Sequence, residues 1–167
     1  MDETTISLII SIVALLVASI SLFYNKPDKK VPKQEVNGTY VPLQLQAYER
    51  LVLLCERISI PNLISRVSQP NFTAKEMQLL LTDNIKQEFE YNTSQQIYVS
   101  SIAWEAVRNL RDQSMLIINQ VANILPADAK ASDLNKQLLE VIINQKEAAL
   151  HTIVLNALNF EAKKLMH

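Results

Sequence analysis

Seven polar side chains near the start of the folded region are the residues best suited to chemistry. Two glutamate–arginine pairs recur one heptad apart, with a tyrosine before them and an asparagine and a third arginine after them. Carboxylates beside guanidinium groups can serve as acids or bases in a cleft. The alternative is a set of helix-surface or inter-helix ion pairs, each of which stabilises a protein little. The candidate polar cluster is Tyr48, Glu49, Arg50, Glu56, Arg57, Asn62 and Arg66.

Few other residues offer groups for catalysis or cofactor binding. The two histidines, His151 and His167, have no cysteine cluster beside them, so recognisable metal-ligand spacing is missing. Gly38 is the single glycine, and phosphate-cradling loops need several. Cys55 lies in an apolar helical stretch and is expected to be a buried, inert thiol. We therefore predict no catalytic residue, no cofactor and no metal.

The segment Thr4–Tyr24 has the composition of a membrane-spanning helix. It holds 21 residues without a charge, a proline or a glycine. At about 1.5 Å per residue such a helix covers roughly 31 Å, which matches the hydrocarbon core of a bilayer. The residues before it are acidic, and a secretory signal peptide would need a basic start. The segment predicts a retained transmembrane anchor.

Four lysines after this segment predict its orientation. Lys26, Lys29, Lys30 and Lys33 follow the apolar run within one short stretch. Positively charged flanks stay in the cytoplasm, and lysines near the surface attract anionic head groups. The expected location is a bacterial inner membrane, crossed once, with the N-terminus outside and the C-terminal domain in the cytoplasm. Membrane lipid is then the first expected partner.

Small residues form one stripe along the predicted span, at intervals of four, three, four and three. Small faces let helix backbones approach closely in lipid, which favours pairing with a second copy or with another membrane protein. The alternative is that serine and alanine are simply common in single spans. The candidate helix-pairing face is Ser7, Ser11, Ala14, Ala18 and Ser21.

Composition predicts one globular domain behind the anchor. Apolar residues make up 49% of the chain, and the net charge is −1, which argues against a dedicated nucleic-acid surface. We divide the chain into an anchor at 1–24, a proline-containing linker at 25–39 and a helical domain at 40–167.

The domain is expected to be an all-α bundle of about four helices. Helices are predicted at 42–58, at 73–91 with a Thr73–Glu76 capping box, at 101–125, and over about 30 residues from Ser132 or Asp133 to near Leu165. Pro61 should break or kink the first helix, a short helix is expected at 62–68, and 92–100 is expected to be partly helical. The last helix should bury Leu134, Leu138, Ile142, Ala149, Ile153 and Phe160, and Phe89, Tyr91, Tyr98 and Trp104 should pack in the core.

Two sequence blocks carry a resemblance to a known family. They are the stretch from Leu43 to Leu51, which contains Gln-Ala-Tyr-Glu-Arg, and the stretch from Cys55 to Leu63, which contains Glu-Arg-Ile. Together with matches up to Asp128, they resemble small membrane-anchored proteins of Bacteroidetes bacteria. The resemblance implies an inner-membrane protein with a cytoplasmic helical domain and carries over no catalytic residue.

The expected function is that of a membrane-tethered helical interaction or scaffold module without catalysis of its own. The alternative is an accessory subunit of a larger inner-membrane complex, in which the span packs on a partner. A third hypothesis, an enzyme of unrecognised type, would use Glu49, Arg50, Glu56 and Arg57.

Overall fold

The computed structural model describes residues 40–144 and 147–166, and this part of the chain is all-helical. The structure divides the chain after Asn37, and the described residues all belong to the second part, Gly38–His167. Its helices are α1 (Tyr40–Ile58), α2 (Ile60–Val67), α3 (Ala74–Asn92), a 3-10 helix (Thr93–Ile97), α4 (Ser101–Ile124), α5 (Ala131–Asn144) and α6 (Glu147–Lys164).

The described helices do not include a membrane span, because none of them is both long enough and apolar enough to cross a bilayer. The predicted anchor, the linker lysines and the small-residue stripe of 7–21 all lie outside the described residues.

Local signals place the first helical boundaries well. Pro61 ends the first helix as predicted and sits in the first turn of α2, where its missing N–H costs nothing. Thr73 caps α3: its hydroxyl accepts from the Glu76 backbone N–H at 3.2 Å, and the Glu76 carboxylate accepts from the Thr73 N–H at 2.9 Å. Both halves of the predicted capping box are therefore present.

Six α-helices occupy the described residues, namely the predicted first, second and third helices, the short helix after Pro61, and α5 and α6 in the region of the predicted last helix. The continuity of that last helix through 145 and 146 lies outside the described residues. The predicted cap residues, Ser132 and Asp133, lie inside the first turn of α5, which begins at Ala131. The Asp133 carboxylate accepts from the Lys130 N–H at 2.9 Å.

The predicted apolar stripe of the last region is confirmed in α5 and wrong in α6. Leu134 and Leu138 of α5 are buried as predicted, whereas Ile153 and Phe160 of α6 are each 61% exposed. The buried positions of α6 are instead Val154 and Leu158. The physical reason is that α5 packs on α3 and α4 while α6 packs mainly on α1, so the two stretches bury different faces.

The core lies between α1, α3, α4 and the last two helices. Leu51, Leu54, Met77, Ile118 and Leu158 are fully buried there. Two loops close one end of the bundle, because the Ala74 N–H donates to the Ala129 carbonyl and the Ala131 N–H donates to the Phe72 carbonyl, each at 2.9 Å. Helix α1 runs antiparallel to α6, because Tyr48 contacts Glu161 while Glu56, further along α1, lies beside His151, which is earlier in α6.

Candidate functional site

The seven residues of the candidate polar cluster do not converge on one cleft. Tyr48 is buried, Glu49 and Arg50 are exposed on α1, Glu56 contacts Asn62, and Arg57 and Arg66 meet a residue of α3. The cluster is thus divided into separate contacts around α1. Tyr48 and Arg57 use partners that are distant in sequence, whereas Glu56 and Asn62 are only six residues apart.

Glu88 of α3 joins two of the predicted arginines. Arg57 donates from Nε to Glu88 Oε1 at 2.8 Å and also through Nη2, and Arg66 Nη1 lies 3.3 Å from the same oxygen. Arg66 also donates to the Arg57 carbonyl at 3.2 Å. The Glu88 hydrogen bond raises the pKa of Arg57 above its usual value. The arrangement links α1, α2 and α3 through one carboxylate, which is the ion-pair alternative stated above.

Tyr48 has two hydrogen bonds inside the bundle. Its hydroxyl donates to Glu161 Oε2 at 2.6 Å and accepts from the Ser100 N–H at 3.3 Å. Burial raises the pKa of this phenol, and the hydrogen bond to Glu161 raises it further. Tyr48 therefore joins α1 to α6 and to the loop before α4 as a neutral side chain at physiological pH.

Glu56 lies at the other contact between α1 and α6. Its Oε2 accepts from Asn62 Nδ2 at 3.2 Å and lies 3.8 Å from His151 Nε2. The second distance is too long for a direct hydrogen bond, although one bridging oxygen could connect the two groups. His151 Nε2 is buried and has no hydrogen-bond partner among the described residues.

A cavity of about 250 Å³ lies beside His151. Its aliphatic wall comes from α2, α4 and the two C-terminal helices, while His151, Asn62 and Ser114 supply polar atoms. Apolar volume with a few polar groups is typical of small-ligand sites, which usually measure about 300–1,000 Å³. This cavity is slightly smaller than that range. The described aliphatic lining residues are Ile60, Leu110, Ile117, Ile142 and Leu150.

A second, more open groove of about 530 Å³ runs between α1 and α3. Leu53 and Tyr91 line it and are 59% and 75% exposed. Arg50 and Arg57 border the same groove. Arg57 is paired with Glu88, whereas Arg50 forms no ion pair within the described part of the chain. The groove thus combines apolar, aromatic and cationic groups.

The predictions of a buried thiol and of aromatic packing by Phe89 and Trp104 are confirmed, and those for Tyr91 and Tyr98 are wrong. Cys55 is fully buried, and burial raises the pKa of its thiol to about 12. Phe89 packs on Trp104 with ring centroids 5.0 Å apart. Tyr91 and Tyr98, both expected in the core, are 75% and 36% exposed, and Tyr91 faces outward into the groove.

A family model matches almost the entire chain. It is described as a family of unknown function (DUF7935), and the match runs over residues 3–165. The chain belongs to this family. The predicted membership of an uncharacterised family is thereby confirmed, while the expected bacterial origin and membrane anchor stay predictions. No curated protein matches the chain. No solved structure matches it either.

The cluster residues that sequence reasoning missed are partners from distant elements. Glu88 is 31 residues from Arg57, and Glu161 is 113 residues from Tyr48. No spacing pattern in the sequence links either glutamate to its partner. Among the described residues, no group of three potential metal-binding side chains comes together.

Proposed function

We propose that the protein is a membrane-tethered helical interaction module that binds a partner protein through the groove between α1 and α3, without catalysis of its own. The observation that carries the proposal is the combination of exposed Leu53 and Tyr91 with Arg50, which forms no ion pair with a described residue. Tyrosine and arginine are the residue types most enriched where interfaces gain their affinity.

The tether in this proposal is the uncharged segment Thr4–Tyr24 with its four following lysines. It would hold the protein in an inner membrane, crossed once, with the helical domain on the cytoplasmic side. The family match supports treating both parts together, because it extends over the apolar segment as well as the domain. A tether raises the local concentration of the domain at the membrane, so a weak groove interaction is sufficient there.

The chemistry of the groove defines the partner. Leu53 and Tyr91 would receive an apolar helix face, and Arg50 would pair with a carboxylate on that helix. A helix that has an apolar stripe and an acidic residue beside it meets both needs. Partner burial would also exclude water from the Arg57–Glu88 pair at the edge of the groove.

The test compares two leucines on the protein surface. Leu53→Lys places a charge in the groove, and Leu79→Lys places the same charge elsewhere on α3, where the leucine is 52% exposed. The full chain is purified in a mild detergent, and its complexes are identified by native mass spectrometry. We expect Leu53→Lys to weaken partner binding by at least about tenfold and Leu79→Lys to leave it unchanged. Equal effects from both variants would contradict the groove assignment.

The alternative function is that of an accessory subunit whose span packs on a partner in a larger inner-membrane complex. The small-residue stripe Ser7, Ser11, Ala14, Ala18 and Ser21 favours it, because such faces promote close helix pairing in lipid. The same purification separates the two functions. A stoichiometric membrane partner that survives Leu53→Lys supports the accessory subunit, and a partner that is lost with Leu53→Lys supports the module.

A further inference from the structure

Three parts of the domain meet at the end of the bundle where α1 begins. The Tyr48 hydroxyl, two turns into α1, contacts the Ser100 N–H before α4 and the Glu161 carboxylate near the end of α6. The 3-10 helix also packs on α1. The start of α1, the 3-10 helix, the start of α4 and the end of α6 therefore share one end, which we call the Tyr40 end.

The Tyr40 end exposes large apolar side chains from each of these elements. Ile97 is 74% exposed, Ile102 is 75% exposed, and Phe160 is 61% exposed. Such residues lie singly on most protein surfaces, but a group at one end indicates a contact with another surface. The exposed apolar residues of the Tyr40 end are Tyr40, Leu43, Ile97, Tyr98, Ile102, Phe160 and Met166.

Basic residues accompany this apolar group. Lys163 and Lys164 lie in the last turn of α6, and Lys164 Nζ is 4.3 Å from the centre of the Phe160 ring. The nearest carboxylate on the same helix, Glu161, accepts the Tyr48 hydrogen bond inside the bundle. On α4, Glu105 pairs with Arg108. Lys163 and Lys164 therefore place two exposed cationic groups beside the apolar residues at the end of α6, while the exposed carboxylates of Glu49 and Glu90 lie on α1 and α3.

We propose that the Tyr40 end rests on the surface of an anionic lipid bilayer, with its aliphatic and aromatic side chains at the head-group boundary. Exposed apolar residues beside lysines are the composition that binds such interfaces. The proposal rests on the proposed membrane tether, which it deepens by assigning a lipid contact to the folded domain.

The length of the linker keeps the Tyr40 end within reach of bilayer lipid. Residues 25–39 separate the predicted span from Tyr40, and a flexible chain of that length has a root-mean-square reach of roughly 20 Å. The domain enters this linker at Tyr40, so the Tyr40 end would stay near the membrane. The four linker lysines would draw the same stretch to anionic head groups.

The test uses two isoleucines on one helix. Ile102 and Ile124 of α4 are 75% and 77% exposed, and about 33 Å of helix separates them. Ile102→Cys and Ile124→Cys are labelled with an environment-sensitive fluorophore in the full chain, because buried Cys55, whose thiol pKa is about 12, will not compete. The protein is reconstituted in vesicles of phosphatidylcholine and phosphatidylglycerol that contain a spin-labelled quenching lipid.

We expect the label at 102 to shift to shorter wavelength and to be quenched several-fold more than the label at 124. Replacing phosphatidylglycerol with phosphatidylcholine, or introducing Lys163→Gln with Lys164→Gln, should reduce quenching at 102. Equal quenching at both sites would overturn the proposal. A label at 102 that is shielded from water, unquenched by lipid and cross-linked to a second copy would also overturn it, in favour of self-association.

Vesicle flotation separates this proposal from the tether on which it rests. Protein that floats with the vesicles but shows no difference between the two labels overturns only the lipid contact of the Tyr40 end. Protein that fails to float overturns the tether and the lipid contact together.

Discussion

Glu88 balances the charge of two arginines that belong to two different helices. Its side chain is 16% exposed, whereas Arg57 and Arg66 are 46% and 33% exposed. Because water reaches both guanidinium groups, solvent screens much of the attraction. The carboxylate thus fixes how α1, α2 and α3 meet without contributing much free energy.

Replacing Glu88 with Gln should therefore lower the free energy of unfolding by less than about 1 kcal/mol. The measurement is urea unfolding followed by circular dichroism. Glu90→Gln, at an exposed position of the same helix, is the control and should be silent. A loss of several kcal/mol from Glu88→Gln would mean that the carboxylate is far more desolvated than its exposure indicates.

Tyr48 has a larger expected effect because its hydroxyl is buried. Tyr48→Phe removes the acceptor of the Ser100 N–H and the donor to Glu161, so it should cost about 1–2 kcal/mol of unfolding free energy. Tyr98→Phe, at an exposed position, should cost much less. Equal costs for the two variants in urea unfolding would show that the internal hydrogen bonds of Tyr48 contribute little.

The raised pKa of Tyr48 also predicts a pH dependence. Its contribution to stability is complete below the ordinary tyrosine pKa of about 10 and is lost as pH rises through the higher pKa of the folded state. The difference in stability between the native chain and Tyr48→Phe should therefore shrink only in strongly alkaline solution.

At the scale of elements, the capping box of α3 is a further testable unit. Thr73→Ala should destabilise the domain by about 1 kcal/mol, because it removes the oxygen that accepts from the Glu76 N–H. The Thr73 backbone and side-chain hydrogen bonds lower the pKa of Glu76. The contribution of the Glu76 carboxylate to stability is therefore present above the unfolded carboxyl pKa of about 4.3. It is lost as pH falls through the lower pKa of the folded state.

Acid unfolding of the native chain and of Glu76→Gln measures this contribution. The variant should lose less stability than the native chain between about pH 5 and pH 3. Lys75→Gln, a neighbouring change outside the capping box, should follow the native pH profile. Identical profiles for all three proteins would contradict the role of the Glu76 carboxylate.

Elements whose limits depend on neighbouring residues could be predicted from the sequence, and those that depend on distant packing could not. Thr73 with Glu76, and Pro61, act within one turn, so their helices were predicted closely. The buried face of α6 depends on its packing against α1, about 100 residues earlier in the chain. The partner of Arg57 could not be predicted for the same reason.

At the scale of the whole molecule, the small-residue stripe predicts that two spans pair through this face. Ala14→Leu with Ala18→Leu should hold two spans apart and weaken their pairing in a membrane two-hybrid assay. Val13→Leu with Val17→Leu raises hydrophobicity on another face and should be nearly silent. Equal responses from both pairs would leave the segment as a plain anchor.

The central claim is that this helical domain is tethered to a membrane and faces the cytoplasm. A reporter fused after His167 of the full chain tests it most directly, in cells whose membranes are then washed with alkaline carbonate. We predict that the fusion stays in the washed membranes and that a reporter active only in the cytoplasm is active. Neutral residues at Lys26, Lys29, Lys30 and Lys33 should give mixed orientations. Fusion protein released into the wash would contradict the tether, and activity of a periplasm-specific reporter would contradict the orientation.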